Sequence, residues 1–306
     1  MRLIIGTRGS QLALRQAELV QRALEALRSP ITAELLVIRT QGDDRLDLRL
    51  TESGKKFAKG LFTKELEEAL LNRTISLAVH SLKDLPDARP SGLKVGAVLP
   101  RADPTDVVVL RTAKSFGDVP PGALLATSSP RRICQLQRKR PDIRTEEIRG
   151  NVPTRLRKLA GRPELAGVVL AKAGLDRLGL LGSMGQLQFE NWIFTVEPLD
   201  WMIPAAGQGA IAIEILEENH ELDHLLQAVN HLPTWRTVTV EREVLRRLGG
   251  GCEIPIAVGC NLVGDELFAR AIVFDPDGRA RTATWNGLYA SSTEGINELL
   301  KQLNER

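Results

Sequence analysis

Short apolar runs alternate with helix-length amphipathic segments over the first two-thirds of the chain, and this alternation restricts the fold more than any other feature. Residues 3–5 read as a strand, and Ser10 is placed to cap a helix whose Leu12, Leu19, Ala23 and Leu27 share one face. Residues 35–38 form the next strand. Thr63 is a candidate cap for a helix with Glu65, Glu67 and Glu68 in its first turns, where carboxylates complement the helix dipole. Ile75, Leu77 and Val79 alternate as a strand that runs into His80-Ser81-Leu82-Lys83-Asp84. The pattern continues through 107–110, 124–126, a helix from Pro130, 143–148 and 168–171. Strands separated in this way predict α/β units with mainly parallel sheets.

After about Glu214 the pattern changes. Helical segments near 218–230 and 238–248 precede a hairpin, 267–274 and 279–285, joined by Pro276-Asp277-Gly278, and a last helix follows. Helices beside an antiparallel hairpin predict a small α+β domain. A chain of 306 residues accommodates two or three domains with cores of their own.

Cys134, Cys252 and Cys260 are the three cysteines, and they offer neither a C-x-x-C pair nor zinc spacing. An odd count without a framework predicts a reducing compartment, with any special cysteine acting through its thiol. The first residues supply no apolar signal core, and no apolar run approaches the roughly 20 residues of a membrane span. A cytoplasmic protein is expected. Net charge is only +3, yet residues 127–162 carry eleven Lys or Arg against three acids. Such a stretch predicts an anionic partner. With aromatics at 4% and none interleaved among these bases for stacking, nucleic acid is not expected.

Three turns share one design: Thr7-Arg8-Gly9-Ser10, Thr127-Ser128-Ser129-Pro130-Arg131-Arg132 and Arg149-Gly150-Asn151-Val152-Pro153-Thr154-Arg155. Each sits between a strand and a helix. Free N–H groups at a helix start, hydroxyls and guanidinium forks together bind phosphate or carboxylate. One such turn is ordinary capping, whereas three with arginine point to a ligand with several anionic groups. Lys83 and Asp84 place a cation and a carboxylate together at a strand end, where an Asx-turn before proline is the plain alternative. Gly249-Gly250-Gly251 precedes Cys252, and three glycines exceed what a helix stop requires. They predict a mobile loop presenting a thiol, against the plain reading of a buried structural cysteine. His220-Glu221-Leu222-Asp223-His224 fits the H-E-x-x-H zinc signature. Its histidines, with His231, fall opposite Leu222, Leu225, Leu226 and Val229 on a helix, so they face solvent and no metal site is expected.

The segment from Glu241-Arg242 through Val244, Leu248 and Gly250-Gly251-Cys252 to Ile254-Pro255-Ile256-Ala257 resembles the cofactor-attachment signature of the hydroxymethylbilane synthase (porphobilinogen deaminase) family. The resemblance extends over nearly the whole chain, through Thr7–Leu14, Lys59–Glu67, Ala78–Asp84, Thr127–Arg132, Arg149–Arg155, Ala173–Gly179 and Gly207–Ala210. It implies two lobes like those of type II periplasmic binding proteins plus a small C-terminal α+β domain. The expected divisions are 1–99 with 209–228, 104–203, and 229–306. It further implies a dipyrromethane cofactor held covalently by Cys252, porphobilinogen as substrate, and a monomer with no membrane, nucleic-acid or metal partner. Asp84 matches the family's catalytic aspartate. Cofactor contacts are implied for Ser81, Lys83, Asp84, Thr127, Ser128, Ser129, Arg131, Arg132 and Gly150. Substrate contacts are implied for Arg8, Ser10, Lys55, Lys59, Phe62, Arg149, Arg155, Arg177 and Gln208. Pro130 replaces a common aliphatic residue, and Phe57-Ala58 replaces a glycine pair before Lys59. The segment 180–203, with Trp192 and Trp201, is longer than the family pattern and has no assigned role. A two-lobed binding protein for a small acidic ligand is the rival reading, but it needs neither Asp84 nor the glycine–cysteine loop.

Overall fold

The computed structural model describes residues 1–27, 31–40, 63–86, 89–182, 185–250 and 255–305. Lys55, Lys59, Phe62 and Cys252 lie outside the described residues. The chain forms two compact units: Met1–Ala102 with Gly209–Trp235, and Asp103–Gln208 with Arg236–Arg306.

In the first unit, β1 (Arg2–Thr7), β2 (Thr32–Val37), β3 (Leu77–Ser81), β4 (Leu93–Val98) and β11 (Ile211–Leu216) form one sheet in the order β2-β1-β3-β11-β4. Strand β1 is parallel to β2 and β3, whereas β11 is antiparallel to β3 and β4. Helix α1 (Gln11–Glu25) starts where Ser10 Oγ accepts from Ala13 N–H. Its Ala17, Val20 and Leu24 pack with Leu77, Val79, Ile211 and Ile213 on one face of the sheet. On the other face, Leu66, Ala69 and Leu70 of α2 (Lys64–Leu71) pack with Ala78 and Leu93. A strand covered on both faces is largely apolar, and β3 and β11 depart from this at His80, Ser81 and Glu214.

The second unit contains β5 (Asp106–Leu110), β6 (Leu124–Ala126), β7 (Arg144–Glu146), β8 (Leu165–Ala171), β9 (Gln186–Phe189) and β10 (Trp192–Pro198) in one sheet, ordered β7-β6-β8-β5-β10-β9. Helix α3 (Pro130–Lys139) sends Leu136 into one core with Val108, Leu110 and Val169. On the opposite face, α4 (Val152–Gly161) contributes Leu156 and Leu159, and α5 (Lys172–Arg177) contributes Leu175. The same unit holds a three-stranded antiparallel sheet, β12 (Ile256–Val263), β13 (Glu266–Phe274) and β14 (Ala280–Leu288). One face of that sheet packs on Ile296, Leu299 and Leu303 of α8 (Ser292–Asn304) and on Val240 and Val244 of α7 (Leu232–Arg247).

The α/β class and the C-terminal α+β domain are as expected, with one refinement. Both larger sheets are mixed, because β5 and β11 run antiparallel to their neighbours. The unassigned segment 180–203 supplies the β9–β10 hairpin, which extends the sheet from β5 and buries Leu187, Phe189, Phe194 and Val196. Helix α6 (His220–Leu226) is shorter than expected, and it turns Leu222 and Leu226 inward while His220 and His224 are exposed. Among the described residues no helix is long and apolar enough to cross a membrane.

Candidate active site

Parallel strands bring their carboxyl ends to one edge of a sheet, and the loops that leave them meet there. In the first unit β1 and β3 are parallel neighbours, so Arg8 and Ser10 follow one strand while Lys83 and Asp84 follow the other at the same edge. Residues Leu82–Asp84 form a single 3₁₀ turn. Leu82 and Leu85 are buried, whereas Asp84 is exposed. Ser81 is tied to Gln16 of α1, whose Nε2 donates to Ser81 Oγ at 2.8 Å. Among the described residues no hydrogen bond or ion pair engages the Asp84 carboxylate. This carboxylate stands exposed at a strand end, next to Lys83 in sequence and on the same sheet edge as Arg8.

In the second unit β6 and β7 are parallel, so the Thr127–Arg132 and Arg149–Arg155 turns also share an edge. The first turn is held by Ser128, whose Oγ donates to Ile148 O at 2.6 Å and accepts from Ile148 N–H at 3.0 Å. Ser129 N–H donates to Thr127 Oγ1, and Pro130 opens α3 as the sequence indicated. In the second turn Gly150 adopts φ +113°, a region that L side chains avoid. A Cβ at Gly150 would stand 2.6 Å from Thr154 Cγ2. Asn151 caps α4 by accepting from Thr154 N–H, and Arg155 Nε donates to Gly150 O at 2.8 Å. Arg149 pairs with Glu147 at 2.5 Å. Burial pushes the Arg177 guanidinium down to about 10, with Asp176 opposing the shift, so it is cationic at neutral pH.

Three implied contact residues face inward instead. Arg131 and Arg132 are 5% and 6% exposed, and both bind Asp106, which is wholly buried at the head of β5. Arg131 also donates to Ile203 O, and Arg132 to Val169 O. Gln208, likewise buried, donates from Nε2 to Pro104 O at 2.6 Å and to Asp106 Oδ1 at 3.0 Å. Asp106 is therefore the hub of this edge, and the sequence reading missed it. The available signal was an acid opening an all-apolar strand, which in a buried position requires cationic partners.

Glu241 of α7 is a second unanticipated anchor. Fully buried, it accepts from Gly207 N–H and from Cys260 N–H, each at 2.7 Å. It thereby ties the 204–208 loop to β12 of the C-terminal sheet. Before Cys252, Gly249 takes φ +65° and its N–H donates to Arg246 O, while Gly250 N–H donates to Leu245 O. These two bonds are those of a Schellman stop, and a Cβ at Gly250 would lie 2.6 Å from Leu245 Cδ1. Two of the three glycines thus serve the end of α7, and the expectation that they exceed the needs of a helix stop is corrected to that extent.

Basic turns stand at strand ends in both units, and one of them carries an exposed carboxylate, which marks an α/β protein with candidate anion-binding edges. Residues 3–224 match the family description porphobilinogen deaminase, dipyromethane cofactor binding domain, and residues 235–304 match the porphobilinogen deaminase C-terminal domain. The chain belongs to the porphobilinogen deaminase family, whose members are transferases. It is 44% identical over 275 residues to the porphobilinogen deaminase of Syntrophobacter fumaroxidans, covering 90% of this chain and 84% of that protein. It is 45% identical over 278 residues to that of Bordetella parapertussis, covering 91% and 84%. To that of Syntrophus aciditrophicus it is 41% identical over 302 residues, covering 99% and 94%. Among solved structures, the periplasmic VFT2 domain of Bordetella pertussis BvgS aligns with a TM-score of 0.44 at 15% identity, over 74% of this chain and 86% of that one. The family match favours the enzyme over the binding-protein reading.

Proposed function

We propose that the chain is a hydroxymethylbilane synthase that joins four porphobilinogen molecules head to tail, releasing one ammonia at each addition. Hydrolysis then frees the linear tetrapyrrole hydroxymethylbilane. The observation that carries this reading is the match to the dipyromethane cofactor binding domain over residues 3–224. Asp84, exposed at the end of β3, agrees with it.

The donor set suits a group that bears carboxylates on every ring. Acetate and propionate side chains make each added pyrrole a dianion, and a growing chain needs several fixed cations. Arg8, Lys83, Arg149, Arg155 and Arg177 are the proposed clamps, with Lys55, Lys59, Phe62 and Ser10 completing the substrate contacts. Ser81, Thr127, Ser128, Ser129, Gly150, Arg131 and Arg132 are the proposed cofactor contacts, the two arginines being seated on Asp106. Gln208 is proposed to act from behind, by orienting Asp106. When bound through Cys252, a dipyrromethane would supply the pyrrole carbon to which substrate is joined.

Loss of ammonia from porphobilinogen leaves an electron-poor, cationic pyrrole. The Asp84 carboxylate stabilises that charge electrostatically, and it accepts hydrogen bonds from pyrrole N–H groups. It also receives the proton lost as aromaticity returns. The three-domain division at 1–99 with 209–228, 104–203 and 229–306 belongs to the same proposal. It is supported by the separate cores of the second unit's two sheets. A cytoplasmic monomer is the proposed state, on the family resemblance.

Purified protein given porphobilinogen should release one ammonia per substrate consumed and yield one tetrapyrrole per four. Consumption without that stoichiometry, or none at all, refutes the proposal.

A further inference from the structure

Contacts on both faces of the sheet converge on the last residues of β3. His80 Nε2 lies 3.1 Å from Glu214 Oε2, and the two side chains are 4% and 0% exposed. Ser81, the next residue, points to the opposite face, where its Oγ donates to Gln16 Oε1 at 3.1 Å and accepts from Gln16 Nε2 at 2.8 Å. Leu82 N–H then donates to Ala210 O at 3.0 Å, continuing the pairing of β3 with β11. The 3₁₀ turn follows directly on these anchors, closed by Leu85 N–H on Leu82 O at 3.2 Å.

The Asp84 carboxylate makes no contact of its own among the described residues, so its position follows from where this backbone is held. A buried imidazole–carboxylate pair is a poor way to gain stability, because desolvation offsets most of the attraction. Glu214 stands between Ile213 and Ile215, both fully buried, where an apolar side chain would serve the core better. Glu67 of α2 faces the pair. Burial pushes its carboxyl above the usual range, Glu214 adds to the rise, and His80 and Arg89 oppose it.

We infer that His80 and Glu214 are a positioning pair for Asp84. They pin β3 to β11 on the face toward α2, as Gln16 pins Ser81 on the face toward α1, and together they set the backbone from which Asp84 meets substrate. The inference rests on the reading of Asp84 as the catalytic carboxylate.

A double-mutant cycle on the holoenzyme tests it, with the first porphobilinogen addition followed by intact mass under single-turnover conditions. His80→Leu should slow the addition about 10- to 100-fold, the cost of a small misplacement of a catalytic group, with KM within about twofold of wild type. In an Asp84→Asn background the same change should cost less than about twofold, because the group it positions is already gone. His80→Gln, which keeps an N–H donor for Glu214, should recover most of the rate. Gln16→Ala should behave as His80→Leu does, and it carries the cycle if His80→Leu does not fold. Equal losses in both backgrounds, a change in KM alone, or an unchanged rate overturns the inference. Wild-type protein that gains no mass from porphobilinogen overturns the proposed function and the inference with it.

Discussion

Arg132 grips Asp106 along one edge of its guanidinium, with Nε 3.0 Å and Nη2 2.7 Å from the same Oδ1. Arg131 takes the other oxygen at 2.6 Å. One buried carboxylate thus balances two buried cations, and it joins β5 to the start of α3. Removing it strands both guanidinium groups. Asp106→Ala should destabilise the protein by about 3–5 kcal/mol, read as a lower urea midpoint at constant slope. Asp106→Asn, which keeps hydrogen-bond acceptance, should cost less.

Gly150 is a second structural constraint on the same edge. Its φ of +113°, with only 2.6 Å between an added Cβ and Thr154 Cγ2, leaves Ala no relaxed position. Gly150→Ala should cost about 1–3 kcal/mol, visible as a lower melting temperature. It should also weaken substrate binding, since Arg155 is held by the Gly150 carbonyl.

Arg177 behaves differently, because its guanidinium is already desolvated before any ligand arrives. Arg177→Leu should leave the melting temperature unchanged or raise it. The KM for porphobilinogen should rise about tenfold or more, the worth of one charge-assisted hydrogen bond. A large loss of stability with an unchanged KM would make Arg177 a scaffold residue.

Acid should act through Glu243. Hydrogen bonds from Arg246 and then Arg247 hold its carboxyl down at about 2 instead of the ordinary 4.5. A depressed carboxyl contributes stability that is complete above the unfolded value and is lost as pH falls through the folded one. The melting-temperature difference between wild type and Glu243→Gln should be present at about pH 6, shrink below about 4.5, and vanish near 2. Because the pair is partly exposed, its worth is on the order of 1 kcal/mol or less.

The sequence exposed the elements most clearly where one local signal dominated. Ser10 and Pro130 open their helices where expected, and all three basic turns lie between a strand and a helix. What stayed hidden depends on partners distant in the chain. No local pattern says that Asp106 will meet Arg131, Arg132 and Gln208, or that Glu241 will receive N–H groups from Gly207 and Cys260. Strand direction was hidden for the same reason, since β11 reads as any apolar run yet lies antiparallel between β3 and β4. The glycines before Cys252 misled in part. Composition alone does not separate a left-handed helix stop at Gly249 and a close approach at Gly250 from a mobile loop.

Cys252 is the proposed attachment point of the dipyrromethane, and the denatured intact mass of purified protein beside a Cys252→Ser variant tests that attachment most directly. A wild-type excess equal to two linked pyrrole units is expected, absent from the variant, with a further rise on incubation of wild type with porphobilinogen. A wild-type mass that matches the bare chain, and that still does not rise after porphobilinogen is added, would contradict it.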